Sequence, residues 1–167
     1  GWNTINGLKY YFDSDMKKVT SWQEIDNKNY YFDSTGILKT GWIPLDGKWY
    51  FSDTDGSRVN NQWITYNNKR YYLTDDGTMA TGLTKINNVT YYFTSNGDLT
   101  TGWQLINNNW YYFNPDGIMK TGWLIDNNNK YYLLDNGVMA TGWTTINNKD
   151  YYFSKKGIMK TGWLGIG

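Results

Sequence analysis

A tryptophan that returns every twenty residues sets the register of this 167-residue chain. Trp2, Trp22 and Trp42 stand 20 residues apart, and Trp63 follows after 21. Leu83, Trp103, Trp123, Trp143 and Trp163 then return at 20, so eight repeats succeed one another and Trp163 opens a truncated ninth. Other positions keep the same beat. Tyr-Tyr-Phe or Tyr-Tyr-Leu stands eight to ten residues after the tryptophan, as in Tyr30-Tyr31-Phe32 and Tyr71-Tyr72-Leu73. Gly follows at fourteen (Gly97, Gly117, Gly137) and Met or Leu at sixteen (Met79, Leu99, Met119, Met139). The first repeat departs, with Met16 in the glycine position. A repeat this short cannot enclose a core by itself, so its apolar surface must be buried by stacking on its neighbours.

Each repeat reads as a β-hairpin. Trp103 to Ile106 is short and β-prone, Trp110 to Phe113 is aromatic throughout, and Asn107-Asn108 lies between them. Asn6-Gly7, Asp46-Gly47 and Asn147-Asn148 occupy the same place elsewhere, and such dipeptides tolerate the positive φ of tight hairpin turns. Asp116-Gly117 marks a second turn toward the next repeat. A lone hairpin is barely stable in water. The expected fold is therefore all-β, a β-solenoid of stacked β-hairpins with about eight 20-residue repeats, forming a single array over residues 1–167. Because the chain opens at Gly1-Trp2, inside a repeat, it is expected to be a fragment of a larger protein. Side chains alternate across a strand. That alternation sends Tyr111 and Phe113, with Ile106, to an axial packing face, and Trp110 with Tyr112 to the groove between repeats.

Composition excludes several functions. The 16 basic and 15 acidic residues nearly cancel, which leaves no electrostatic footprint for nucleic acid or an anionic membrane. No apolar run is long enough to insert across a bilayer. With no Cys and no His, the commonest nucleophile, general base and metal ligands are missing. No catalytic activity, metal or cofactor is expected. Asp75-Asp76 reads as a turn rather than a catalytic pair. Asp53 and Asp55 lack the bidentate Glu of a calcium loop. What remains is the 19% of aromatic residues.

The motif Gly-Trp, turn, Tyr-Tyr-Phe, Gly-x-Met-x-Thr-Gly-Trp resembles the choline-binding, or cell-wall-binding, repeats of Gram-positive surface proteins and phage lysins. It is similar also to the short repeats of clostridial toxins and streptococcal glucan-binding proteins, which belong to the same superfamily. The resemblance covers the whole chain. It implies a secreted or cell-surface module joined to a catalytic or toxic domain elsewhere in the full-length chain. It also implies ligand pockets between consecutive repeats, where two aromatics of one repeat and one of the next box a trimethylammonium group beside a Met. In the choline-binding branch the residue seven after the Gly-Trp is usually Trp; here Trp49 and Trp110 fill that position, while Lys9, Asn29, Arg70, Thr90, Lys130 and Asp150 fill the others.

The best pocket is accordingly expected from Trp103, Trp110 and Tyr132 with Met119. The second is expected from Trp42, Trp49 and Tyr72, with Arg58 in the Met position. A quaternary ammonium donates no conventional hydrogen bond, and aromatic faces attract it through their quadrupoles. The expected partner is choline-substituted teichoic acid of a cell wall. The alternative is a toxin-type module that binds cell-surface carbohydrate on a host, which the cationic Lys9, Arg70 and Lys130 suit better. A spacer without a ligand is the third reading.

Overall fold

The computed structural model describes residues 1–162, so Trp163 and the truncated ninth repeat lie outside the described residues. Every regular element among the described residues is a strand, seventeen in all. They form eight antiparallel hairpins, from Trp2–Ile5 with Leu8–Tyr11 to Gly142–Ile146 with Lys149–Phe153. The fold is the all-β solenoid of stacked hairpins that the period implies. The turns work by the chemistry their residues allow: Asn107 and Asn108 take φ of 50° and 67°, and Asn147 and Asn148 take 49° and 65°. Two successive positive φ values match the right-handed strand twist, which is why Asn, Asp and Gly monopolise these sites.

Beyond each hairpin the chain doubles back. Asn114 to Gly117 turns it, and Met119 then bridges to Phe113 as a short third strand. The last repeat extends this into Met159–Lys160 paired with Lys149–Phe153. Asp side chains hold many of these return turns. Asp76 accepts hydrogen bonds from the hydroxyls of Thr78 and Thr74, which hold its carboxyl down at about 2.

The chain divides into two compact units, one of Gly1–Thr81 with Asn96–Asp98, the other of Gly82–Ser95 with the chain from Leu99 onward. In both, the core is a ladder of residues ten positions after the repeat's Trp. Phe32 and Leu73 in the first unit, and Phe93, Phe113, Leu133 and Phe153 in the second, are fully buried. Alternation holds along the strand: Tyr111 stacks near Phe113 at 6.5 Å, while Tyr112 pairs with Trp103 across the hairpin at 5.2 Å. The expected division into an axial and a groove face does not hold, however. Both faces of a hairpin meet a neighbour, so the Tyr–Phe face of one hairpin packs on the Trp face of the one before. Trp2 meets Tyr30 at 4.9 Å, Trp22 meets Tyr50 at 5.3 Å, and Trp123 meets Tyr151 at 5.0 Å.

The third repeat carries Ser52 in the core position, 1% exposed, with its hydroxyl unpaired. A buried donor without an acceptor destabilises a fold. Ser52→Ala is expected to raise stability by about 1 kcal/mol, read as a higher urea midpoint. A lower midpoint would show that the hydroxyl has a partner.

Candidate functional site

Trp103 lies on the strand Gly102–Ile106 and Trp110 on its partner Asn109–Phe113, with Leu105 paired opposite Trp110. Both tryptophans therefore project from the same face. Their rings stand 6.4 Å apart at 84°, forming two walls of a corner. The next hairpin supplies the third wall: Tyr131 lies 4.9 Å from Trp103 at 62°. Met139 closes the enclosure, held in place by its backbone N–H donating to the Trp110 carbonyl at 2.8 Å. Trp103, Trp110, Tyr131 and Met139 line a cavity of about 450 Å³, with Lys155 and Lys156 at its rim.

Two of the expected residues thus take part and two do not. Tyr132 turns to its own hairpin's Trp123, 5.1 Å away. Met119 belongs one repeat earlier, its N–H donating to the Thr90 carbonyl and its side chain lining a cavity with Lys85 and Asp135. The physical reason is parity. Tyr132 shares the face of Trp123, so the ring that looks back at Trp103 must be its neighbour Tyr131. The return segment, meanwhile, carries each Met back past the preceding hairpin.

The same shift applies in the first compact unit. Trp42 and Trp49 meet at 6.2 Å and 88°, and Tyr71 approaches Trp42 at 5.0 Å. Tyr72 instead pairs with Trp63 at 5.2 Å. Met79 donates its N–H to the Trp49 carbonyl at 2.8 Å, in the manner of Met139 with Trp110. Arg58, expected here, lies over Trp22 at 5.3 Å, one junction earlier. Tyr66 adds a further ring 6.2 Å from Trp42.

Electrostatics separates these two sites from other junctions. The Arg58 guanidinium covers Trp22, and the Arg70 guanidinium covers Trp63 at 4.4 Å. Those ring faces already hold a cation belonging to the chain. At Trp103 the arrangement is the reverse: the indole N–H donates to the Asp126 carboxylate at 3.0 Å, which places a negative charge against the aromatic wall. Sequence reasoning missed Asp126, since nothing in its turn position signals a contact 23 residues back.

The repeats match models of the choline-binding repeat over residues 19–63, 39–81, 100–141 and 140–166, and of a cell wall binding repeat over 1–15 and 81–99. The chain belongs to the choline-binding repeat family. Its fold superposes on CbpJ from Streptococcus pneumoniae TIGR4 with a TM-score of 0.87 at 36% identity, covering 92% of this chain and 56% of that one. Choline binding protein F from Streptococcus pneumoniae gives 0.83 at 36% identity, covering 91% and 55%. The choline-binding domain of CbpL from Streptococcus pneumoniae gives 0.75 at 31%, covering 96% and 86%. The chain thus spans about half the length of the first two. No curated protein sequence matches it significantly. As a choline-binding repeat protein it is a binding module, and the toxin-type alternative is not favoured by these matches.

Proposed function

We propose that this module binds choline in two aromatic boxes, Trp103/Trp110/Tyr131/Met139 and Trp42/Trp49/Tyr71/Met79, and so holds an attached domain on a cell wall that displays choline on teichoic acid. It works at the cell surface and does no chemistry itself. The observation that carries this reading is the perpendicular tryptophan pair, closed by a tyrosine of the next repeat and a methionine. Ring faces set at right angles converge on one point. That suits a compact trimethylammonium group, whereas a sugar ring needs a flat platform with hydrogen-bonding groups around its edge. The arginines seated on Trp22 and Trp63 show the same affinity of these rings for a cation.

At about 0.5–2 kcal/mol for each ring, three rings supply about 3–5 kcal/mol. This corresponds to a dissociation constant of about millimolar. Repetition compensates for that weakness, because several sites facing a polymer that repeats the ligand gain about 10²–10⁴ in avidity. Calorimetric titration with choline, and in parallel with a panel of oligosaccharides, tests the reading. Saturation by choline alone is expected. Trp110→Ala is expected to weaken this box about tenfold, from the loss of about 1–2 kcal/mol, and to leave the hairpins folded, because Trp110 is 41% exposed. A variant that binds choline as the parent does would remove Trp110 from the site, and saturation by sugars in place of choline would overturn the ligand.

A further inference from the structure

The rim of the Trp103 box is positively charged, which a bare cation would not favour. Lys155 and Lys156 both line the cavity, and like charges near a bound cation oppose it. Neither lysine has a carboxylate partner among the described residues, so their charges are not neutralised within the chain. Lys155 also lines an adjoining, more polar cavity on the other side of Trp110 and Met139, with Asn108, Asn109 and Thr144. The ammonium group therefore stands between an enclosed aromatic space and a polar one.

The repeat pattern makes this pair distinctive. Lys155 and Lys156 occupy the positions twelve and thirteen residues after Trp143. No other repeat carries Lys or Arg at either position; Asp75-Asp76 and Asp135-Asn136 are typical. The thirteenth position has a structural task elsewhere. Asp55, Asp76, Asp116 and Asn136 each accept, through the side chain, the backbone N–H two residues on. Lys156 has no acceptor to offer, and in its turn the Ser154 hydroxyl takes over, accepting the Ile158 N–H at 3.2 Å. The turn thus gives up its usual carboxylate or amide acceptor for a dibasic pair that the fold itself does not use.

We infer that Lys155 and Lys156 form an anion subsite, so that this box takes a phosphocholine group rather than choline alone: the trimethylammonium enters the rings and the phosphate oxygens meet the two ammonium groups. The inference rests on the choline reading given above. Asp126, hydrogen-bonded to Trp103, faces the cationic half of such a ligand, and the lysines face its anionic half. The Trp42 box serves as an internal reference within the same chain.

The indole N–H resonances of Trp103 and Trp110, followed by NMR in the intact chain, report this box separately from those of Trp42 and Trp49. At low salt, phosphocholine is expected to bind the Trp103 box about fivefold more tightly than choline, from two exposed charge contacts. That preference is expected to shrink as salt screens it. In Lys155→Gln/Lys156→Gln it is expected to disappear, with choline binding unchanged or stronger. Equal affinity of the parent for choline and phosphocholine overturns the subsite while leaving the aromatic box intact. A preference that survives in the double variant overturns it too. Silence toward both ligands overturns the choline reading and the subsite together. Phosphocholine on a wall polymer and the headgroup of phosphatidylcholine share this chemistry. Soluble phosphocholine shifting the resonances, without co-sedimentation on phosphatidylcholine vesicles, assigns the polymer; co-sedimentation assigns the lipid.

Discussion

A chain carrying both Trp49→Ala and Trp110→Ala is expected to release from a surface coated with immobilised choline about a hundredfold more readily than the parent. Each substitution removes one wall of a box whose remaining ring and thioether stay in place, and each is worth about 1–2 kcal/mol. Because the two boxes sit on one chain, their losses multiply when the ligand is displayed on a polymer. Neither tryptophan is fully buried (43% and 41% exposed), so the hairpins remain. The contrast between two measurements identifies the cause. Titration with free choline sees each box weaken only about tenfold, whereas retention on the coated surface falls by the product. Undiminished retention would show that the chain is held by other junctions, such as Trp123 with Tyr132 and Tyr151.

Phe113→Ala is expected to be the most damaging single change to the fold, at about 3–5 kcal/mol. Phe113 has no exposed surface. Its ring stacks on Tyr92 at 6.0 Å and lies beside Tyr111, so its loss opens a void between two hairpins. In a repeat stack each hairpin depends on its neighbours for its buried face, so the damage spreads to both sides of the gap. A urea titration followed by tryptophan fluorescence is expected to show a much lower midpoint than the parent. Trp110→Ala, two residues before the Phe-Tyr core position on the same strand, is expected to leave that midpoint nearly unchanged. Equal effects of the two substitutions would contradict the division of labour between Phe113 and Trp110.

The hairpins were legible in the sequence because their signals are local. Asn107-Asn108 and Asn147-Asn148 demand positive φ, and that demand fixes where each strand ends. The partner of Trp103 across the hairpin follows by counting outward from that turn, and it is Tyr112. The same count shows that Tyr132 shares the face of Trp123, so only Tyr131 can look back at Trp103. Parity alone would have found the third ring. Met139 is different, since its place depends on how the return segment after Gly137 crosses the preceding hairpin, which no alternation pattern encodes. Asp126 and the dibasic pair depend on the same crossing. Side chains that arrive from another repeat become visible only once the stacking is known.

One glycine shows what that stacking means for how such arrays change. Gly157 takes φ of 82°, and a Cβ on it would lie 2.2 Å from the Met139 sulfur; Met139 in turn closes the box opened by Trp103. The site therefore draws on three successive repeats: tryptophans from one, tyrosine and methionine from the next, and the glycine seat with its flanking lysines from the third. No single repeat carries a site in its own sequence. Copying one repeat into an array creates new junctions on both sides of the insert and changes the membership of boxes already there. A site can be transplanted whole only as a block of three repeats, about sixty residues at this period. A substitution in one repeat is felt two repeats earlier, so the unit of inheritance for binding is longer than the unit of sequence.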